Sequence, residues 1–279
     1  MNITIVSGKG GTGKTTIATN LALSLGDNVQ LLDCDVEEPN DHLFIKPEIL
    51  ESEEVYVKVP EVDKARCVLC GRCQEVCAFN AIAVLNDDVL VFGDLCHSCG
   101  ACSYFCPQKA IGEAEVAVGR VDVGRRDTLQ FVTGSLNIGK AISIPVIKAV
   151  KAHLNPTRTV VIDAPPGTSC PVIESLKGSD YVLVVTEPTP FGFNDFELIV
   201  ALLRKLALPF GVIINRSDLG SGIITDYCQK ENISIVAQIP FKPQIALAYA
   251  QGKILVDTMP EMRREFQQIA QHIIGVKRT

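Results

Sequence analysis

The chain has 279 residues, of which 47% are hydrophobic and 21% are charged, and it carries a formal net charge of −6 at pH 7. This composition excludes a disordered chain, and the acidic balance argues against a general nucleic-acid-binding protein, because neutralising phosphates requires clustered Lys and Arg. Apolar runs such as residues 181–185 are far shorter than the roughly 20 residues that span a bilayer. We therefore expect a cytoplasmic protein without stable membrane insertion.

Strands and helices are predicted to alternate along most of the chain. In chain order, the sequence predicts a strand at 3–7, a glycine-rich loop, a helix at 16–25, a strand at 29–32, alternating apolar positions at 116–132, a helix near 140–154, strands at 159–162, 181–185, 210–214 and 233–236, and helices near 193–206, 222–231 and 262–274. Because the strands are continuously apolar, this pattern predicts a doubly wound, mostly parallel α/β sheet covered on both faces.

Cysteine is concentrated in one segment of the chain. Eight of the eleven cysteines lie between Cys67 and Cys106, and α/β sequence flanks the segment on both sides. In a reducing cytoplasm, crowded thiols indicate metal binding and not a disulfide framework. We therefore predict an α/β domain formed by residues 1–58 and 112–279, with a small α+β module of residues 59–111 inserted into it.

A phosphate-binding loop follows the first predicted strand. The segment from Gly8 to Thr15 matches G-x-x-x-x-G-K-S/T and lies between a strand and a helix, which is the context that a P-loop requires. Its glycines let backbone N–H groups surround phosphates, Lys14 reaches the β- and γ-phosphates, and the Thr15 hydroxyl binds Mg²⁺. The predicted nucleotide-binding residues of this loop are Gly8, Lys9, Gly10, Gly11, Thr12, Gly13, Lys14, Thr15 and Thr16.

Carboxylates follow two other predicted strands, at the edge where the loops of a parallel sheet gather. Asp163 ends the strand at 159–162 and is predicted to hold Mg²⁺ through water, while Gly167 places a backbone N–H near the γ-phosphate. Asp33 and Asp35 follow the second strand and are candidates for orienting the attacking water. The alternative for such residues is an ordinary turn or helix cap.

Residues 9–15, Lys-Gly-Gly-Thr-Gly-Lys-Thr, resemble the deviant Walker A motif of the MinD/ParA/Mrp class of P-loop ATPases. The resemblance implies that Lys9 is the signature lysine of the class, which reaches across a nucleotide-sandwich dimer to the phosphates bound by the partner. It adds Lys9 to the predicted catalytic residues Lys14, Asp35 and Asp163. The dimer is either a homodimer or a pair with a related chain.

Other segments share the resemblance. Asp33-Cys34-Asp35 is similar to switch I of the class, and residues 163–167 are similar to switch II of its Mrp branch. The resemblance further implies that Asn215 and Arg216 read the adenine base and that Pro240 packs on the other side of the base. For Asn215 the alternative is a strand-end cap.

Two copies of the bacterial ferredoxin run C-x2-C-x2-C-x3-C occupy the predicted module. Three thiolates of such a run bind one 4Fe–4S cluster, and the fourth binds the other cluster. The predicted ligands are Cys67, Cys70, Cys73 and Cys106 for cluster one, and Cys96, Cys99, Cys102 and Cys77 for cluster two. Zinc is the alternative, but triplets of C-x2-C-x2-C fit a zinc site poorly.

Two features outside these motifs leave alternatives open. Cys170 lies seven residues after Asp163, where the nitrogenase iron protein, a member of the same class, has one ligand of a bridging cluster. Residues 127–150 supply no second ligand, so an ordinary thiol is favoured. The C-terminal amphipathic segment at 262–274, which basic residues such as Lys277 and Arg278 flank, either packs on the sheet, as we favour, or binds a membrane surface.

Taken together, the chain resembles MinD-superfamily ATPases that carry an inserted ferredoxin domain. The resemblance implies ATP, Mg²⁺ and two 4Fe–4S clusters as cofactors, and an ATPase that couples nucleotide-dependent dimerisation to electron transfer with redox partner proteins. One alternative is an iron–sulfur cluster assembly carrier or scaffold of the Mrp type. Another is a MinD/ParA-like positioning ATPase with a redox-sensing module.

Overall fold

A computed structural model describes residues 1–220 and 222–276 of the chain. Its strands are β1 (Asn2–Val6), β2 (Val29–Asp33), β3 (Glu48–Val62), β4 (Ile82–Val84), β5 (Val89–Val91), β6 (Ile111–Arg126), β7 (Leu129–Leu136), β8 (Thr159–Asp163), β9 (Tyr181–Thr186), β10 (Phe210–Asn215) and β11 (Ile235–Ile239). Nine of these form one sheet in the order β11-β10-β9-β1-β8-β2-β7-β6-β3, and β4 pairs with β5.

The first seven strands in this order run parallel, which confirms the predicted mostly parallel α/β sheet. The apolar alternation at residues 116–132 has a different geometry, because β6 lies antiparallel to β7 and β3 lies antiparallel to β6. The last predicted strand is displaced toward the C terminus and spans Ile235–Ile239.

Helices cover both faces of the sheet. They are α1 (Lys14–Ser24), α2 (Asp41–Ile45), α3 (Arg72–Glu75), α4 (Ala101–Tyr104), α5 (Ile144–Ala152), α6 (Cys170–Leu176), α7 (Pro190–Lys205), α8 (Ile223–Lys230), α9 (Pro243–Ala250), α10 (Leu255–Thr258) and α11 (Pro260–Val276), with a 3₁₀ turn at Gly93–Leu95. Within the described residues, no helix is both long and apolar enough to cross a membrane.

The core has two sides because successive residues of a strand point to opposite faces. Ile5 of β1 packs in the cluster formed with α1 and α11, which contains Phe266, whereas Val6 packs in the cluster that contains Phe196 of α7. The apolar stripe of α11 is therefore buried in the core, which agrees with the packing alternative for the C-terminal segment. Lys277 and Arg278 lie outside the described residues.

A two-stranded ribbon projects from the sheet. Pairing between β6 and β7 ends at Gly119 opposite Leu136, so β6 residues 111–118 continue beyond β7, paired only with β3. This overhang is roughly 25 Å long at the rise of a β-strand. It leaves the sheet at the C-terminal ends of the parallel strands and carries residues 63–110, here called the cysteine module. The ribbon straddles the domain boundaries predicted at residues 59 and 111, which remain predictions.

The cysteine module is built from two copies of one structure. Each cysteine of the second run lies 29 residues after its counterpart, as Cys96 does after Cys67. With the same offset, α4 repeats α3, and the pairing of β4 with β5 repeats that between the ends of β3 and β6. Even the left-handed backbone of Leu69 recurs at Ser98, and that of Asn80 at Lys109. The two halves are thus related by an internal repeat.

Candidate nucleotide and metal sites

The P-loop connects β1 to α1 and forms one wall of an open cavity at the C-terminal edge of the parallel strands. Predicted residues on the cavity wall are Gly10, Gly11, Gly13, Lys14, Thr15, Thr16, Asp35, Asn215, Arg216 and Pro240. Ile245, Tyr249 and Phe266 add an apolar end to the cavity, which suits a planar base. Gly8, Lys9, Thr12, Asp163 and Gly167 lie off the wall.

Lys14 is the centre of a buried charge network. Its Nζ lies 2.8 Å from Oδ1 of Asp163 and 3.3 Å from Oδ2 of Asp35. Burial by itself lowers the pKa of Lys14, but the negative charges of Asp163 and Asp35 outweigh burial and raise it. The Thr15 hydroxyl donates to Oδ2 of Asp163 at 3.0 Å. Lys14 therefore pairs with both predicted carboxylates, Asp163 for Mg²⁺ and Asp35 for the attacking water.

This arrangement fits a phosphate group with Mg²⁺. Hydroxyl and carboxylate oxygens, which Thr15 and Asp163 supply together, are ligands that Mg²⁺ prefers. The buried Thr12 hydroxyl has no hydrogen-bond partner within the described residues, and a phosphate oxygen would satisfy it. A bound phosphate would also attract Lys14 away from the two aspartates.

A second group of carboxylates lies behind Lys14. Oxygens of Asp33, Asp41 and Asp163 lie within 4.8 Å of one another, and all three side chains are buried. Burial, and next the charge of Asp163, raise the pKa of Asp33 to about 8. Burial, and next the charge of Asp33, raise the pKa of Asp41. Protonation of these groups relieves repulsion between negative charges that lack water.

Stability should therefore fall with rising pH. The pKa of Asp33 is about 8 in the folded chain against 3.8 without the fold, so between these values the folded protein holds a proton that the unfolded chain releases. The free energy of unfolding should drop by up to about 1.4 kcal/mol per pH unit from this group. We expect Asp33→Asn to flatten this dependence in urea denaturation of the nucleotide-free protein. The exposed variant Asp87→Asn is the control, and an unchanged slope in Asp33→Asn would contradict the assignment.

Lys9 is bound within its own chain. Its Nζ lies 2.5 Å from Oε1 of Glu187, and the Arg216 guanidinium lies 2.9 Å from Oε2 of the same carboxylate. Glu187 is buried and directly follows β9. The sequence analysis did not select Glu187, although its position at a C-terminal strand end is the signal that selected Asp163. The role of Lys9 across a dimer stays a prediction.

Asn215 supports the P-loop. Its Nδ2 donates to the Thr12 carbonyl at 2.8 Å, and its Oδ1 accepts from the backbone N–H of Arg216 at 3.0 Å. The amide thus packs against Gly13, whose φ is +96° and where an added Cβ would lie closer than van der Waals contact to Asn215. The Asn215 amide thus caps the end of β10, as the strand-end alternative states, and it also holds the P-loop. Base recognition by Asn215 stays a prediction.

Gly13→Ala should lower stability in the nucleotide-free protein. The substitution forces a side chain into a left-handed backbone and against the Asn215 amide. We expect a loss of about 1–3 kcal/mol in the free energy of unfolding by urea denaturation. Gly10→Ala is the matched control, because no atom lies within 4 Å of its Cβ position and its φ is not in the left-handed range. Equal losses in both variants would contradict the expectation.

The eight module cysteines line two separate cavities. Cys67, Cys70, Cys73 and Cys106 line one cavity, and Cys77, Cys96, Cys99 and Cys102 line the other. Each cavity therefore takes three cysteines from one run and the last cysteine of the other, as the sequence predicts for its two clusters. The ligand roles themselves remain predictions.

Among the described residues, the thiols do not gather closely enough to hold a single zinc ion. In a tetrahedral zinc site the sulfurs lie about 3.8 Å apart, but among the described residues no three Sγ atoms lie within 4.8 Å of one another. Backbone N–H groups also point at sulfur, since Ala81 donates to Cys77 Sγ and Ala110 to Cys106 Sγ, both at 3.2 Å. Such hydrogen bonds stabilise cluster thiolates and tune their potential.

The three remaining cysteines lie apart from these cavities. Cys34 and Cys228 are buried, and burial raises the pKa of both, to about 11 for Cys228. Cys170 is exposed at the start of α6. An ordinary thiol at Cys170, which we favour over a ligand of a bridging cluster, stays a prediction.

Comparison with known proteins agrees with the sheet and the P-loop. Residues 3–256 match the CobQ/CobB/MinD/ParA nucleotide binding domain. MJ0579 of Methanocaldococcus jannaschii is 29% identical over 98% of both chains. The iron-sulfur cluster carrier protein of Rickettsia bellii is 26% identical over 95% of this chain and 69% of its own length. The structure of septum site-determining protein MinD complexed with Mg-ADP from Pyrococcus horikoshii has a TM-score of 0.61 at 19% identity, covering 98% of this chain and 95% of that one.

Proposed function

The chain belongs to the CobQ/CobB/MinD/ParA nucleotide-binding family, and on that premise we propose that it couples ATP-dependent dimerisation to electron transfer through two 4Fe–4S clusters. One observation carries the proposal. Two cavities with four cysteines each lie in a module that projects from the same sheet edge as the P-loop.

The nucleotide-binding part of the proposal rests on the Lys14 network. ATP binding would replace the carboxylate partners of Lys14 with the β- and γ-phosphates, because phosphate carries more charge. Asp163 and Thr15 would then be free to hold Mg²⁺, as their 3.0 Å contact allows. Asp35, which lies on the cavity wall, would accept a hydrogen bond from the attacking water.

The dimerisation part of the proposal rests on Lys9. Its side chain is 30% exposed and is held by Glu187 beside the open P-loop edge. A second chain placed against this edge would bring its γ-phosphate within reach, and Lys9 would exchange Glu187 for that phosphate. The partner chain is a second copy or a related chain.

The electron-transfer part of the proposal rests on the cysteine module. The clusters would supply one-electron transfer, and the chain would hold them by the eight predicted thiolates. Phe79, Tyr104 and Phe105 are exposed on the module and offer a redox partner protein an apolar contact surface.

An iron–sulfur cluster carrier is the second candidate. The observation that favours it is the likeness to the Rickettsia bellii iron-sulfur cluster carrier protein. Against it, the two cavities account for all eight module cysteines, so each cluster would be fully ligated and less readily transferred. A MinD-like positioning ATPase with a redox-sensing module is the third candidate, which the fold likeness favours.

One experiment separates these candidates. The protein is purified without oxygen, its iron is counted, and its ATPase rate is measured with the clusters oxidised and reduced. We expect about eight irons per chain, an ATPase rate that changes with cluster redox state, and no cluster transfer to an apo-acceptor protein. Equal rates together with MgATP-dependent transfer would establish the carrier. Redox-dependent localisation in cells would favour the positioning ATPase.

A further inference from the structure

Among the residues that the structure describes, one ion pair ties the cysteine module to the chain outside its ribbon. Nζ of Lys140 lies 2.7 Å from Oδ1 of Asp94. Of the hydrogen bonds and ion pairs among the described residues, this is the one that joins residues 64–110 to the chain outside the ribbon. A two-stranded ribbon bends and twists easily, so a contact of this kind decides where the module lies.

The two partners occupy informative positions. Asp94 lies in the 3₁₀ turn, two residues before the predicted ligand Cys96. Lys140 lies in the loop after β7, where its N–H donates to the Asn137 carbonyl at 3.0 Å, and Asn137 in turn donates to Val118 of the ribbon at 2.9 Å. The loop is thus fixed to the root of the ribbon and reaches the module through one side chain.

The same loop is tied to the nucleotide site. The last residue of β7, Leu136, donates from its N–H to the Val36 carbonyl at 2.8 Å. At the other end of this short segment, the Cys34 N–H donates to the Asp163 carbonyl at 2.8 Å. Between them lies Asp35, which pairs with Lys14. Three consecutive residues therefore connect the phosphate-sensing carboxylates to the end of β7.

Packing makes this connection stiff. An added Cβ at Gly134 of β7 would meet Val36 at 2.8 Å, Val150 at 2.7 Å and Val146 at 2.9 Å. No free space separates β7 from the Val36 side chain or from α5. Because close-packed interiors transmit displacement and do not absorb it, a movement of Val36 on loss of the Lys14 pair must move the end of β7.

We propose that Lys140 is a positioning residue whose pairing with Asp94 changes with the nucleotide state and thereby moves the cysteine module. The proposal rests on the proposed function, since it requires ATP at the P-loop and clusters in the module. Both side chains are partly exposed, 27% for Lys140 and 63% for Asp94. An exposed ion pair contributes little free energy, which suits a contact that must be made and broken in each cycle.

The test measures how fast bipyridine removes iron from the loaded protein, with and without MgATP. In the wild type we expect MgATP to change this rate by about fivefold or more, the lower end for coupled sites. Lys140→Glu should abolish the MgATP response while ATP binding and iron content stay unchanged. The exchange variant Lys140→Asp with Asp94→Lys should restore the response. Lys64→Glu is the matched control, because Lys64 pairs with Asp88 at 2.8 Å inside the module.

Three results with the variants overturn this proposal: a full MgATP response in Lys140→Glu, the same loss in Lys64→Glu, or no recovery in the exchange variant. A wild type that holds iron and binds ATP, but whose iron removal ignores MgATP, also overturns it and leaves the ATPase and its clusters in place. A wild type without iron or without ATP binding contradicts the proposed function itself.

Discussion

Replacing Lys14 with Ala is expected to lower the ATPase rate by about 10²–10³-fold, because the γ-phosphate loses a charge placed where negative charge develops. The same substitution leaves the buried Asp163 and Asp35 without their counter-charge. Breaking a buried pair in this way costs about 3–5 kcal/mol of stability. Rate and unfolding must therefore be measured together.

A second variant separates the two effects. Lys14→Arg keeps a positive charge beside Asp163 and should preserve most of the stability, yet its planar guanidinium does not reproduce the point charge of an ammonium. We expect it to hydrolyse ATP as poorly as Lys14→Ala. Lys9→Ala should behave differently, with nucleotide binding retained and hydrolysis lost, because Lys9 acts across the dimer in the proposed function. Wild-type hydrolysis by a folded Lys14→Arg would contradict the role of Lys14.

Removing a single cysteine should remove the cluster from the cavity that this cysteine lines, even where the other cysteines of that cavity belong to the other run. Cys106→Ala is expected to lower the iron content from about eight to about four per chain. The remaining cluster should then be the one that Cys67→Ala also spares, because Cys106 and Cys67 line the same cavity. Iron analysis and electron paramagnetic resonance of the reduced protein measure both.

The reciprocal variant makes this prediction specific. Cys77→Ala should give the same spectrum as Cys96→Ala, since both residues line the other cavity. Cys170→Ala and Cys228→Ala serve as controls and should keep all the iron. Identical spectra for Cys77→Ala and Cys67→Ala would contradict the crossed arrangement, because they would assign each cluster to a single run.

Local sequence was sufficient to identify the P-loop and the cysteine runs, since both consist of contiguous residues with fixed spacing. The ribbon was harder to predict. Strand β3 is an edge strand rich in Glu, and its first seven residues, 48–54, are all exposed, so hydrophobic periodicity gives no signal for that part of the strand. Its partner β6 alternates as expected, but alternation does not specify which strand pairs with it or how far it overhangs.

Residues whose importance depends on tertiary contacts were missed. Glu187 and Asp41 are polar residues at element ends, where turns and caps are the usual explanation. Only the folded chain brings Glu187 to Lys9 and buries Asp41 beside Asp33. The helices α9 and α10 were also missed, because both are short and their stability comes from tertiary packing, in which α10 packs against α11 and α9 packs against α10.

The internal repeat of the cysteine module has a consequence for direction. The two copies, offset by 29 residues, contain the same elements, so the repeat alone does not distinguish one half of the module from the other. The contact with Lys140 uses Asp94, and the position 29 residues earlier is occupied by Ala65, which has no charge to offer. One carboxylate thus distinguishes two otherwise equivalent halves and fixes which of them contacts the loop after β7.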